Sequence, residues 1–182
     1  MSFLDKLKGA IRNEKPADEN TFVFETIPTN IEDFKARAAE SFKNPNAVIA
    51  LTVIAFNIFP VNADLAYEML DVLKGPVPLS AQDKALIRDQ LRDKDYLPRS
   101  YFAGATPENN YEPSEPFTVS VKANPHSNDA EGYYTAYITS GGADSPRPIT
   151  VRLKASTGEW FLHNHTGFLP GIRVPANQNP WA

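Results

Sequence analysis

The sequence predicts an α+β fold, with about four helices packed on one face of an antiparallel sheet of four to five strands and a short N-terminal amphipathic helix. Helix start and stop signals are concentrated in the first half of the chain. After residue 96 apolar and polar residues alternate instead, and ten of the 16 prolines lie from Pro98 onward. The alternating runs are joined by short turn-rich connectors, which favour antiparallel pairing because a parallel pair needs a long crossover.

Length and composition predict a single globular domain. The 182 residues correspond to one domain at the usual domain size, and we place it at residues 20–182, with a helical half at 20–95 and a strand half at 96–182. The 18 basic and 22 acidic residues give a net charge of −4, so we expect no nucleic-acid partner. The absence of cysteine excludes disulfides, Cys-ligated zinc and a thiol nucleophile. No cofactor is predicted.

Residues 1–15 are predicted to form a separate N-terminal helix and the start of a linker. Phe3, Leu4, Leu7 and Ile11 share one stripe of a helix over residues 2–12. A helix this short is only marginally stable alone in water, and it therefore needs a surface to pack on. That surface is the rest of the domain, a second subunit or an anionic membrane. No secretory signal is recognisable, and we expect a cytoplasmic protein.

The first elements of the main domain are a strand and a helix. β-branched and aromatic residues dominate Thr21 to Ile27, and the run stops at Pro28. Thr29 and Glu32 then form a capping-box pattern, which predicts a helix start. The apolar positions that follow at helical spacing are Ile31, Phe34, Ala38 and Phe42.

Three more helices are marked by their ends. Asn44 and Pro45 open a helix to about Asn57 that is apolar nearly all round, so we expect it at the centre of the core. Asn62 caps the third helix, which stops at Gly75. Ser80 caps the fourth, whose predicted inward residues are Leu86, Ile87 and Leu91.

The second half contains four alternating runs, each predicted to be a strand. They are Phe117–Lys122, Tyr133–Thr139, Ile149–Lys154 and Glu159–His163. Consecutive pairing makes a four-stranded meander, and the early strand gives it a fifth member if it joins the sheet.

Several phrases resemble a bacterial domain-of-unknown-function family found chiefly in Gram-positive species. The resemblance covers roughly residues 56–182 and implies no activity, because the family has no assigned function or catalytic residues. The phrases that carry it are Asn62–Leu70, Asp95–Phe102, Gly104–Tyr111, Ser140–Arg147, Gly158–Leu162 and Gly171–Pro175.

The outer face of the predicted sheet is the first candidate binding surface. If the apolar residues of the strands face the helices, the opposite face carries Tyr133, Tyr137, Arg152, Lys154 and Phe161, together with Lys122 and His163. Aromatic rings among cations suit cation–π contacts or a protein partner. The alternative is an ordinary solvated sheet face.

His163 and His165 are the second candidate, as a metal site. Two residues apart on a strand, both imidazoles would lie on one face. A zinc site needs at least one more ligand, which His126, Asp144 or Glu159 would have to supply. The alternative is a pair of structural or exposed histidines.

Two loops are further ligand candidates. Asp144 and Arg147 lie in a glycine-containing connector, where Arg147 would hold a carboxylate or phosphate; the alternative is a wide hairpin stabilised by its own side chains. The long connector after residue 100 offers a polar and aromatic site, unless its side chains only satisfy the loop's own backbone. Its candidate residues are Tyr101, Asn109, Asn110 and Tyr111.

No common hydrolase, metalloprotease, phosphate-loop or EF-hand motif occurs. The sequence therefore favours a non-catalytic domain that binds a protein partner or itself through its outer sheet face and proline-rich loops. One alternative is a metal- or small-molecule-binding protein or enzyme that uses His163, His165 and a nearby carboxylate or Arg147. The other is weak membrane-surface contact through residues 2–12.

Overall fold

All five strands join one antiparallel sheet in chain order, so the early strand is its fifth member. The computed structural model describes residues 19–182; the helix predicted at residues 2–12 lies outside them. The strands are β1 (Glu19–Phe24), β2 (Phe117–Lys122), β3 (Tyr133–Ile138), β4 (Arg147–Lys154) and β5 (Glu159–Asn164). The helices are α1 (Ile31–Ser41), α2 (Pro45–Ile58), α3 (Ala63–Lys74), α4 (Ala81–Leu91) and the short α5 (Tyr96–Arg99).

Three of the four predicted helix starts are confirmed by side-chain caps. The side chains of Asn44, Asn62 and Ser80 each accept a hydrogen bond from an amide of the first helical turn. The prediction of Thr29 as the first cap was wrong by one residue. Asn30 has the extended backbone of a cap, and its Oδ1 accepts from the Asp33 amide at 2.9 Å. Asparagine caps a helix as well as threonine does, so both residues fit the start signal.

Helix α2 is the centre of the core, as its composition predicts. Every residue from Val48 to Phe56 is buried, because α2 contacts all five strands and also packs against α1 and α3. Helix α3 lies against α2 and contacts β5. The helical layer therefore brings the end of α3 close to the last strand of the sheet.

Two local predictions were wrong in detail. Leu86 was expected to be buried but is 43% exposed, whereas Ile87 is fully buried. The first strand ends at Phe24, short of the predicted Ile27. The chain after it turns toward α1, where the Arg37 guanidinium donates to the backbone and hydroxyl oxygens of Thr26 at 2.8 and 3.0 Å.

The two sheet faces differ as the alternation predicts. The helix-facing residues of β3 are buried, and its outward residues are partly exposed. At one edge, the Trp160 amide donates to the Phe42 carbonyl at 2.8 Å, which joins β5 to the loop after α1. None of the helices within residues 19–182 is both long and apolar enough to cross a membrane.

Candidate binding site

Three of the predicted outer-face residues form a contiguous row across the sheet. Tyr133 of β3 pairs with Arg152 of β4, and Arg152 pairs with Phe161 of β5. The guanidinium carbon of Arg152 is 5.5 Å from the centroid of the Tyr133 ring, within cation–π range. His163 adds an edge-on contact, with its ring centroid 5.0 Å from that of Tyr133. We call these four residues the outer-face cluster.

The other two predicted members lie on either side of this cluster. Lys154 is two residues beyond Arg152 on β4 and is exposed, so both side chains are on the outer face. Tyr137 is four residues from Tyr133 on β3, next to Pro148 of β4 and Lys122 of β2. The strand rise puts Tyr137 about 13 Å from Tyr133, outside the cluster.

A groove of about 520 Å³ opens beside the cluster. One wall is the last residue of α3, Lys74, and the turn after it, with Pro76 and Val77. The other wall is the β4–β5 hairpin, including Arg152, Lys154, Phe161 and His163. Val77 is 68% exposed at the rim. The size and the mixed apolar and cationic lining are those of a ligand site.

The two walls meet where Gly75 touches Phe161. A Cβ on Gly75 would overlap the Phe161 ring, and the positive φ of Gly75 also favours glycine. On another side the Phe161 ring lies 4.8 Å from the Phe42 ring, centroid to centroid. Phe161 was predicted simply as an outer-face residue. It is partly buried because the ends of α1 and α3 reach over the sheet edge, so it forms the fixed floor of the groove.

The groove is electropositive. Lys74, Arg152 and Lys154 line it, and within the described part of the chain no acidic side chain does. The pKa of His163 is lowered, first by burial and then by the charges of Lys74 and Arg152, which disfavour a further positive charge. Glu159 is opposite Lys154 in the strand register but does not line the groove. The arrangement suits an anionic group attached to an apolar body.

His163 and His165 do not share one face, because β5 ends at Asn164 between them. His163 is exposed, whereas His165 is only 7% exposed and packs edge-on against Phe56. Burial, aided by the charge of Lys74, lowers the pKa of His165 to about 4, so the ring is neutral at pH 7. In residues 19–182 no group of three or more histidine or carboxylate side chains could hold a metal ion. Among the described residues, then, no third ligand joins this pair.

Tyr101 and Tyr111, predicted as possible ligand contacts, are core residues. Tyr101 stacks on Phe168 with 4.1 Å between ring centroids, and its hydroxyl donates to the Phe168 carbonyl. The Tyr111 hydroxyl donates to the Arg173 carbonyl at 2.6 Å, and burial raises the pKa of Tyr111 to about 12. The irregular loop hides its aromatic rings under the C-terminal segment, which the sequence pattern did not reveal.

The two asparagines of that loop satisfy backbone groups. The side-chain amide of Asn109 donates to the backbone carbonyls of Gly104 and Glu112 at 2.8 and 3.0 Å. The Asn110 Oδ1 accepts from the Asn177 amide at 2.8 Å. The alternative interpretation, in which the loop's side chains serve its own structure, accounts for both residues.

Asp144 and Arg147 also bond within the protein. Asp144 accepts from the Arg173 guanidinium at 2.6 Å, and Arg147 donates to the Gly171 carbonyl at 3.0 Å. A Cβ on Gly142 would overlap the Tyr111 hydroxyl, so this glycine permits close packing of two loops. The hairpin interpretation explains this connector without a ligand.

Sequence reasoning missed the α3 wall of the groove. The segment from Lys74 to Val77 contains a helix stop signal. That signal accounts for each of its residues except Val77, which is exposed. Nothing local indicates that this turn lies against a hairpin about eighty residues later. Only the tertiary packing of α3 on β5 brings the two walls together.

Fold and site together define an α+β domain, in which a helical layer covers one face of a five-stranded antiparallel meander and a basic groove opens at its last hairpin. Residues 26–176 match the family described as Domain of unknown function (DUF6935), and the chain belongs to this family. This confirms the predicted kinship and extends it about thirty residues toward the N-terminus. Comparisons with curated proteins and with solved structures give no match.

Proposed function

We propose that this domain is a non-catalytic interaction module that binds a protein partner at the outer-face cluster and the adjoining groove. The observation that carries the proposal is the groove itself, with its aromatic floor, its three cations and no acidic side chain among the described residues that line it. Aromatic and arginine side chains are the residue types that dominate binding energy at protein interfaces.

The state of the other candidates supports binding over catalysis. His165 is enclosed against Phe56, while the Arg147 guanidinium donates to Gly171 and Ser145. His163 is in the groove and contacts Tyr133 instead. These histidine and arginine side chains thus have separate neighbours, and a shared catalytic centre would require them to meet.

Partner capture with matched variants tests the proposal. The wild-type domain, the double variant Tyr133→Ala with Arg152→Ala, and Arg92→Ala are immobilised, and the proteins each captures from the source organism are quantified. Arg92 is the control because it is an exposed arginine on the helical side, with its side chain 67% exposed. We expect one protein to be captured by the wild type and Arg92→Ala and lost from the double variant. Equal capture by all three contradicts the proposal.

Membrane contact or self-association through residues 2–12 stays a separate prediction, because those residues lie outside the described part of the chain. Removal of residues 1–15 should abolish binding to anionic liposomes if this segment is the anchor. Unchanged liposome binding would rule it out as the anchor.

A further inference from the structure

The chemistry of the groove indicates what kind of partner segment enters it. We infer that the groove binds an extended acidic segment of the partner, with carboxylates on alternate residues facing Arg152 and Lys154. This inference rests on the proposed interaction function and adds to it the chemical class of the bound segment.

The spacing of the two β4 cations favours an extended chain. Arg152 and Lys154 are two residues apart on one face of a strand, which places their Cα atoms about 7 Å apart. Alternate side chains of an extended peptide have the same spacing. An Asp or Glu at peptide positions i and i+2 can therefore meet one cation each. Arg152 is able to take its carboxylate bidentately.

The opposite wall accommodates the residue between the two acids. In an extended peptide that side chain points the other way, toward the turn after α3. Pro76 and the exposed Val77 give this wall an apolar surface, and Lys74 places a third cation beside it. An apolar residue between two acids therefore fits both walls.

Charge outside the groove disfavours other polyanions. The chain has a net charge of −4, so its three groove cations form a local positive patch on an acidic protein. A long polyanion such as a nucleic acid or an anionic bilayer would be repelled by the net negative charge of the chain. A short peptide segment contacts the groove alone. A free phosphate ion would leave most of the 520 Å³ and its apolar walls unused.

Peptide titration of the full chain, followed by NMR amide shifts, tests the inference. The probe is a capped peptide with a Glu-Leu-Glu core, and its controls carry Gln-Leu-Gln, Lys-Leu-Lys or the reordered Leu-Glu-Glu. We expect the Glu-Leu-Glu probe alone to bind strongly, with shifts at Val77, Arg152 and Phe161. Added salt should weaken the binding, since the contacts are ionic.

Variants locate the binding site. Arg152→Ala and Lys154→Ala should each weaken binding of the Glu-Leu-Glu probe at least about tenfold, the loss expected for a charged hydrogen bond. Arg92→Ala should leave the affinity unchanged. Equal affinity of all variants, no binding of the probe, or equal binding of the reordered peptide overturns the inference. Each variant is first shown to fold by its amide spectrum.

Two further probes separate the inference from the proposed function. Inorganic phosphate and vesicles containing phosphatidylserine are titrated in parallel. If either of these probes shifts the amide signals of the groove and the peptide does not, the groove binds another class of anion. That result overturns the inference of an acidic segment. Partner capture that depends on Tyr133 and Arg152, without peptide binding, would overturn the acidic segment alone. Failure of both assays would overturn both proposals.

Discussion

Tyr133 and Arg152 are direct cross-strand neighbours, and the guanidinium carbon of Arg152 lies 5.5 Å from the Tyr133 ring centroid. Both side chains are on the sheet face that the helices leave uncovered. The contact holds Arg152 beside the groove without neutralising its charge, because an aromatic ring attracts a cation through its quadrupole and carries no net charge. The arginine therefore remains able to bind an anion.

The outer position of Tyr133 predicts a small effect on stability. Tyr133→Ala should lower the free energy of unfolding by no more than about 1 kcal/mol, the range of a cross-strand pair or an exposed cation–π contact. The matched variant Tyr134→Ala, one residue along, removes a side chain that is 8% exposed on the inner face. It should cost about 3 kcal/mol or more. Urea denaturation compares the two, and equal losses would contradict the assignment of the faces.

Gly75 predicts a specific packing defect at the groove floor. Gly75→Ala introduces both a strained positive φ and an overlap with the Phe161 ring, so we expect a loss of about 2–4 kcal/mol. Gly132→Ala is the control, because Gly132 has a φ of +74° with no heavy atom within 4 Å of an added Cβ. Chemical denaturation of both variants isolates the overlap. Similar losses would mean that contact with Phe161 does not constrain this turn.

The position of Tyr111 predicts that its side chain stabilises the fold and takes no part in ligand binding. Tyr111→Phe leaves the Arg173 carbonyl without the hydroxyl that donates to it, which should lower the free energy of unfolding by about 1–2 kcal/mol. Peptide binding in the groove should not change. Tyr133→Phe serves as the comparison on the outer face. A loss of ligand affinity in Tyr111→Phe at unchanged stability would instead indicate that this loop takes part in binding.

The burial of His165 predicts that the free energy of unfolding decreases in mild acid. Burial lowers its pKa to about 4 in the folded protein from 6.5. Between these values the unfolded chain binds a proton that the folded chain does not, so the free energy of unfolding decreases as pH falls from about 6.5 to about 4. The full difference corresponds to about 3 kcal/mol. His163, whose pKa is lowered too, adds a smaller effect of the same sign.

Denaturation at several pH values measures this slope. His165→Gln should flatten it between pH 4.5 and 6.5, whatever its effect on stability at pH 7. His126→Gln is the control, because the His126 side chain is 77% exposed. An unchanged slope in His165→Gln would show that this histidine is not the group responsible.

Local signals predicted most of the fold. The helices begin at Asn44, Asn62 and Ser80 because each cap needs only a side-chain oxygen and the next few amides, which are all local in sequence. The strands follow from alternation, which is also local. Tyr111 shows the limit of such reasoning. An aromatic ring in a polar loop has no periodic pattern, and its burial depends on a segment sixty residues later.

One of the two walls of the groove was predicted from the sequence. The sheet wall with Arg152 and Phe161 follows from strand alternation alone. The other wall, from Lys74 to Val77, depends on how α3 crosses β5, and no periodicity in one sequence specifies that crossing. The position of His165 shows a related limit. β5 ends at Asn164, between the two histidines, so they do not share a face.

The pairing of β1 with β2 joins a strand that precedes the helices in the chain to one that follows them. Phe24 is the register partner of Phe117, so this single ladder closes a loop of about ninety residues that contains all five helices. The other three ladders each close a short hairpin. Loop closure is entropically unfavourable until contacts offset it, so hairpin ladders form early in folding and a ladder of long sequence separation forms late. We therefore expect the chain to complete its sheet by adding its first strand last, after the helices have formed the surface on which that strand packs.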